Sequence, residues 1–461
     1  MPPRRAAAPP RLDEVNTLRW PRLFAYGGLG MPLAVLGLPL YVFLPAHYAE
    51  HTGLGVTLVG LLLLLARLLD VVTDPLVGHL SDRIPGAWRR RAVMLAGVPL
   101  LLLAAPFLFR PPAEAGAGYL LLFSTLVYLG WTLVALPYAA WGAELSGDYH
   151  ERSRITAARE GFVVLGTVTA AALPAVLGLQ DDAGAALAAL AVLLWVLLPV
   201  AFLILLWRVP ERPGRLAPVP WRAGWGLLLG NHPFRRLILA WILNGTANAI
   251  PATLFLLFIT HVLEAPGHAG PLLLVYFVTG ILALPLWLRL ARRLPKHRVW
   301  TLSMLLASSF FIWVPFLGAG DVLAFYAITV LTGLSLGVDL ALPAAMQADV
   351  IDQDTADGGG ERAGLFFGLW GMATKLALAL AVGLSFPLLG AAGFSADGDN
   401  SPTALLVLAL AYAGLPVLFK LAAMALIWRF PIDADAQHTL RERIHAREQA
   451  TIPAQPGGTH P

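Results

Sequence analysis

The chain has 461 residues, 58% of them hydrophobic and 13% charged, with a formal net charge of +4 and no cysteine. Soluble globular proteins carry about 25% charged residues, so this composition excludes an ordinary soluble enzyme, a nucleic-acid binder and a disordered chain. Without cysteine there is no disulfide, thiolate metal site or thiol nucleophile.

In chain order, a polar Pro/Arg-rich tail (1–21) leads into apolar blocks at 22–48, 54–80, 91–109, 118–146, 154–179 and 183–208. A Pro-rich break (209–232) follows, with Pro210, Pro213, Pro218 and Pro220. Six further blocks occupy 233–262, 269–292, 298–318, 321–351, 363–390 and 402–429, within a second region ending at 430. A polar tail covers 431–461. About 20 apolar residues cross a bilayer, and the blocks lack the alternation of barrel strands. The expectation is an all-α membrane protein of twelve transmembrane helices in two six-helix halves. The first tail lacks a signal-peptide layout, which predicts an uncleaved chain.

Basic residues orient the spans, because Lys and Arg gather in cytoplasmic loops. They fall in the first tail (Arg4, Arg5, Arg11, Arg19) and after span 2 (Arg83, Arg89, Arg90, Arg91). Others follow span 4 (Arg152, Arg154), span 6 (Arg208, Arg212, Arg215, Arg222) and span 8 (Arg292, Arg293, Lys296, Arg298). The alternation places both termini in the cytoplasm. One loop on that side, after span 10, reads as acidic (Asp352, Asp354, Asp357, Glu361). The second tail reads as an ordinary cytoplasmic one.

The fourth span of each half carries an echo. Ala135-Leu-Pro137 precedes Glu144 and then Glu151-Arg152; Ala341-Leu-Pro343 precedes Asp349 and then Glu361-Arg362. An Ala/Leu-rich chain produces such echoes by chance; parallel repeats produce them by design, with the substrate between the halves near the midplane.

Charges inside the spans carry the functional reading, since each costs at least ~2.5 kcal/mol in hydrocarbon. On span 2, Arg67, Asp70 and Asp74 share one helix face, with Thr73 beside it. Pro75 frees the carbonyl of Val71. These hard oxygens suit a small hard cation. A structural Arg67–Asp70 pair is the plain alternative, but two carboxylates against one Arg leave negative charge, which Na⁺ or H⁺ would neutralise. Lys375 in span 11 needs a carboxylate partner: Asp70 or Asp74, with Asp339 of span 10 as the alternative. Gly78, Asp82 and Arg83 read as a gating element at the cytoplasmic end of span 2. Lys420 reads as snorkelling to the cytoplasmic surface. Tyr26, Tyr128, Trp131, Tyr138 and Trp370 are candidates to line a substrate cavity, although aromatics also pack cores. No GK[ST] loop supports ATP-driven transport, and no nucleophile–base or metal-binding histidine set supports an enzyme.

The segment Ala66–Arg83, together with Gly360-Glu-Arg-Ala-Gly-Leu-Phe-Phe-Gly-Leu-Trp370 and Thr374-Lys375, resembles the glycoside–pentoside–hexuronide:cation symporters, the melibiose-permease branch of the major facilitator superfamily. The likeness covers nearly the whole chain. It implies a secondary transporter with a cation site from Asp70 and Asp74, aided by Thr73 and by Thr132 of span 4, coupled to Lys375. It implies a functional Arg in span 5, for which Arg159 is the match. Two sugar-binding acids of that branch have no counterpart: span 1 has none, and the span-4 position falls on Ala135. Sodium-dependent lysophospholipid carriers share the span-2 acids and the span-11 Lys, so a lysolipid-like amphipath is the alternative to a sugar or glycoside. An uncoupled exchanger is a further alternative, and a non-transporting membrane sensor a third. The expected partners are a small-molecule substrate and membrane lipids, with no nucleic acid and no cofactor beyond Na⁺ or H⁺. A monomer in a plasma membrane, bacterial inner membrane by type, completes the expectation.

Overall fold

In the computed structural model all twelve apolar blocks are helical; it describes residues 18–451 apart from 212–229 and shorter stretches within 42–53 and at 87, 113, 180–181, 359–361 and 396–399. No strand occurs among the described residues. Span 1 is divided into Trp20–Gly27 and Gly30–Tyr41. Spans 2 to 6 are Gly55–Arg83, Arg89–Phe109, Ala117–Glu144, Tyr149–Val176 and Ala183–Arg208. Spans 7 to 9 are His232–His261, Ala269–Leu290 and Lys296–Phe311. Span 10 joins Val322–Gly333 to Leu336–Ala356, span 11 is Ala363–Ala391, and span 12 joins Pro402–Ala409 to Leu415–Ile427 through a π-helical turn. Among the described residues ten helices, spans 3 to 12, are long and apolar enough to cross a membrane. The divided span 1 and the 29-residue span 2 complete the twelve. This is a multi-pass membrane protein.

Apolar side chains on the outside, such as Leu282, Leu323 and Trp207, are largely exposed. A bilayer solvates them as well as a protein core would, so helix association depends on close packing instead. One buried core joins residues of spans 1 to 6, from Leu23 to Leu205. A second mixes the halves: Val77, Leu136 and Ala140 of the first pack with Met346, Phe366 and Trp370 of the second. This shared core lies toward the end of the bundle that carries the Arg-rich loops, here termed the basic end.

Spans 2 and 11 cross there on glycines. A Cβ added to Gly78 would strike the carbonyl oxygen of Gly364, and one added to Gly364 would strike that of Gly78. Farther along span 11, a Cβ on Gly368 would lie 2.7 Å from the backbone oxygen of Asp74. Glycine at these positions lets the two backbones touch.

Two loop expectations are corrected. Asp352 and Asp354 are not loop residues: span 10 runs on to Ala356, and both are buried on it. Burial is tolerable because Asp352 pairs with Arg152 and Arg441, and Asp354 with Arg362. The second tail is not merely solvated either. Its helix Ala434–Thr451 buries Leu440 and Ile444 against the basic end. Gln437 bridges the halves, donating to the Gly147 carbonyl (2.6 Å) and to Asp352 (3.2 Å). Arg4, Arg5, Arg11, Arg212, Arg215, Arg222 and Glu361 lie outside the described residues.

Candidate functional site

Asp70 and Asp74 are one helical turn apart on span 2 and both are buried. The Thr132 hydroxyl of span 4 stands 2.8 Å from Oδ1 of each. Lys375 Nζ of span 11 lies 2.5 Å from Oδ2 of Asp70 and 2.7 Å from Oδ2 of Asp74. Each acid is thus shared between a hydroxyl of its own half and an ammonium of the other. With all groups ionised the cluster keeps one net negative charge. A hydroxyl has a single hydrogen, so Thr132 donates to one acid at a time. A proton held by the acids, or a cation between them, would satisfy the second. The carboxylate and hydroxyl oxygens form a hard donor set of the kind small hard cations take.

Glycine spacing aims Lys375. Gly364, Gly368 and Gly371 hold span 11 against span 2, and a Cβ on Gly371 would lie 2.8 Å from Asp74 Oδ2. The next turn then carries Lys375 onto the acids. This spacing was visible in the sequence and was not used there.

Three of the four expected cation-site residues come together, and Thr73 does not join them. Its hydroxyl donates to the Asp70 carbonyl (3.0 Å), a turn back on its own helix. Arg67 lies with its guanidinium 6.0 Å from the Tyr128 ring centroid, within cation–π range. Asp339 is not a partner of Lys375. It accepts from Lys420 Nζ (3.0 Å), Trp300 Nε1 (2.8 Å) and Asn248 Nδ2 (3.2 Å) inside the second half. Lys420 accordingly does not snorkel: it is buried, and Asn244 takes a second of its protons (2.8 Å). A helix turned by half a revolution would have put the same residue at the surface, and sequence position alone does not report that rotation.

The expected cavity aromatics divide. Tyr138 and Tyr26 brace spans 4 and 1, each hydroxyl donating to the other's carbonyl (2.6 and 3.2 Å), and both are buried. Trp131 is half-buried, its ring edge set against Gly37 of span 1. Trp370 stacks on Trp241 at 4.5 Å, and Trp241 donates to Thr374 one residue from Lys375. Arg159 pairs with Glu160 at 2.5 Å and lines a small cleft with Tyr26, Gly142 and Phe367.

The gating element is present with one correction. Asp82 accepts from the backbone N–H groups of Gly364 (2.9 Å) and Leu365 (2.8 Å), capping the first turn of span 11. An anion there completes the unpaired donors of a helix start. Its cation is Arg90 at 2.7 Å, which also holds Glu144 at 2.6 Å. Arg83 is exposed; chain adjacency suggested it, whereas the first turn of span 3 supplies Arg90 instead. Arg152 of span 5 adds a second tie to Asp349 (3.0 Å) and Asp352 (2.6 Å) of span 10, and Lys296 shares Asp349 (2.7 Å).

Two six-helix halves with an acid–ammonium cluster between them at mid-bundle define a secondary transporter of the major facilitator type. The chain belongs to the MFS/sugar transport protein family, whose family model matches residues 23–434. It is similar to the sodium-dependent lysophosphatidylcholine symporter 1-A of Danio rerio, at 25% identity over 89% of this chain and 85% of that one. It is similar also to a glucuronide carrier protein homolog of Escherichia coli, at 23% identity over 85% of this chain and 88% of that one. Among solved structures, FucP, a major facilitator transporter in the outward conformation, aligns with a TM-score of 0.65 at 14% identity, covering 87% of this chain and 97% of that chain. A bacterial homologue of the iron transporter ferroportin, outward-facing, aligns with a TM-score of 0.67 at 15% identity, covering 90% and 99%. These two likenesses concern the fold.

Proposed function

We propose that the chain is a cation-coupled symporter of a small organic solute that works by alternating access as a monomer in a plasma membrane, of the bacterial inner-membrane type, with the basic end in the cytoplasm. The carrying observation is the placing of Lys375 between Asp70 and Asp74, with Thr132 on the opposite oxygens. A cation entering the acids competes with Lys375. The interface between the halves then differs between loaded and empty states, which is the differential contact that coupling requires. The names of the relatives favour Na⁺ as that cation; a proton would act on the same oxygens. Under this orientation the Asp82, Arg90 and Arg152 ties close the cytoplasmic side. The reading needs no organic cofactor and no enzymatic step.

The test is ion binding by purified full-length protein. Thermal unfolding is followed while Na⁺ replaces an inert large cation, and again across pH. A ligand of the folded state raises the midpoint. Saturable stabilisation by Na⁺ or by protons is expected, and a midpoint indifferent to both overturns the coupling.

A further inference from the structure

The two halves use the arginines of the basic end differently. In the turn between spans 2 and 3, Arg89 pairs with Glu144 (2.9 Å), Arg90 with Asp82 and Glu144, and Arg91 with Glu211 (3.6 Å). The counterpart in the second half joins spans 8 and 9. It carries Arg289, Arg293 and Arg298, all exposed, and none of the three has an acidic partner among the described residues. Arg292 stands apart from them, near His150 of span 5. The acids of this region are committed elsewhere. Asp349 takes Lys296 of the same turn, which is buried (2.7 Å). Asp433, near His297, accepts from the Ala436 N–H (2.9 Å) and caps the C-terminal helix. The three arginines therefore hold nothing together within the protein.

Their place along the helices sets their depth. Leu282, Leu286, Arg289 and Arg293 follow one another at intervals of four, three and four residues, which is one helix face. The two leucines are exposed, while Ala283 and Trp287 on another face are buried. Span 9 repeats the pattern: Arg298 stands before Leu302 and Leu305 at the same spacing, both exposed, and Val299, Trp300 and Met304 are buried. Each outward leucine stripe faces hydrocarbon and ends in arginine, at the depth where acyl chains give way to headgroups. Span 8 ends at Leu290 and span 9 starts at Lys296, so the three arginines share one short reversal of the chain.

These features select a ligand class. A guanidinium presents a planar fork of N–H donors that matches two phosphate oxygens at once. An acidic protein or a nucleic acid would satisfy the arginines from the water side and leave the leucine stripes unused. A zwitterionic lipid brings its own cation, which offsets its phosphate and repels the guanidinium groups. What satisfies both the charge and the stripes is a phosphate with no cation of its own, attached to acyl chains. We propose that the turn between spans 8 and 9 is a binding site for an anionic diacyl phospholipid of the surrounding bilayer. Arg289, Arg293 and Arg298 hold its phosphate, and its chains lie on Leu282 and Leu286 of span 8 and on Leu302 and Leu305 of span 9. The site is on the outside of the bundle and is independent of the acid cluster and of any transported solute.

The test uses the full chain in phosphatidylcholine nanodiscs doped with a trace of phosphatidylglycerol or of phosphatidylcholine, each carrying a photoreactive diazirine in one acyl chain. Adducts are mapped by mass spectrometry. On residues 282–286 and 302–305 the phosphatidylglycerol probe should label at least about fivefold more than the phosphatidylcholine probe, since each basic side chain near an anionic surface is worth about fivefold in binding. At Leu122, exposed near the opposite end, the two probes should label alike. The triple variant Arg289→Gln, Arg293→Gln, Arg298→Gln should bring the ratio at the site to about one. Its side chains are exposed, so the fold should survive, and an unchanged unfolding midpoint checks that. Arg110→Gln removes one exposed charge at the opposite end and should leave the ratio as it is. Equal labelling by the two probes at the site, or a preference that survives the triple variant, overturns the proposal. A preference lost equally in Arg110→Gln also overturns it, since net charge alone would then explain the effect. Na⁺-dependent stabilisation of the same samples reports separately on the acid cluster, so either reading can fail without the other.

Discussion

Lys375 of span 11 and Asp74 of span 2 meet at 2.7 Å, although 301 residues separate them in the chain. The contact joins the two halves, and Asp70 makes it over-supplied with negative charge. Asp74→Asn leaves one carboxylate facing one ammonium, a neutral pair with no call for a cation. The expected result is a folded protein whose unfolding midpoint no longer rises with Na⁺ or protons. Lys375→Met does the reverse: two buried acids lose their ammonium, a change worth about 3 kcal/mol or more when a buried partner is removed. Its midpoint should fall without Na⁺ and should respond to Na⁺ more steeply than the parent. A full Na⁺ response in Asp74→Asn would sink the assignment of that acid.

The glycine crossing of spans 2 and 11 predicts a conformational effect. Gly364→Leu puts a branched side chain where even a methyl would meet the Gly78 carbonyl. Overpacking of this kind costs about 1–3 kcal/mol, and here the cost falls on the state in which the basic end is closed. The chain has no cysteine, so Ala143→Cys, in the small cleft at that end, would be the sole thiol. Maleimide should label it slowly in the parent and several-fold faster alongside Gly364→Leu, since a penalty of about 1 kcal/mol shifts an equilibrium about fivefold. Equal rates would show that the crossing does not hold that end shut.

Asp82 and Arg83 are neighbours in sequence with unequal expected importance. Asp82→Asn weakens the cap on span 11 and the pair with Arg90. Hydrogen bonds to charged groups contribute about 1.5–3 kcal/mol, so a loss of that order in unfolding free energy is expected. Arg83 is exposed, and Arg83→Ala should stay within about 0.5 kcal/mol of the parent. Denaturant titration of both variants decides it. A large loss from Arg83→Ala would restore Arg83 as the partner.

What could be read from the sequence follows from how strongly physics constrains each feature. Twelve spans and two halves were legible because a bilayer imposes span length and a Pro-rich break falls between the sixth and seventh. The contact of Lys375 with Asp70 and Asp74 was legible because a charge deep in hydrocarbon must find its opposite. Rotation of a helix about its axis leaves no comparable mark. Lys420 therefore read as a surface residue, Asp339 as a candidate for Lys375, and Thr73 as a site hydroxyl. Loop geometry is equally silent, so Arg83 was named where Arg90 serves. Asp352 read as a loop residue because the partners that let it be buried, Arg152 and Arg441, lie far away in the chain.

The Asp339–Lys420 pair gives the most discriminating stability experiment, because burial makes its two members interdependent. Lys420→Met leaves the Asp339 carboxylate with only Trp300 and Asn248 as donors. Asp339→Asn leaves the Lys420 ammonium with only Asn244 among its two acceptors. Each single change strands a buried charge and should cost about 3–5 kcal/mol. The double variant removes both charges, and replacing a whole buried pair is often close to neutral. Its loss should therefore be smaller than either single loss, a coupling of at least about 2 kcal/mol in the cycle. Thermal or denaturant unfolding of the four proteins in one detergent measures it. Additive losses would mean that the two charges do not depend on each other and that solvent, not the pair, satisfies them.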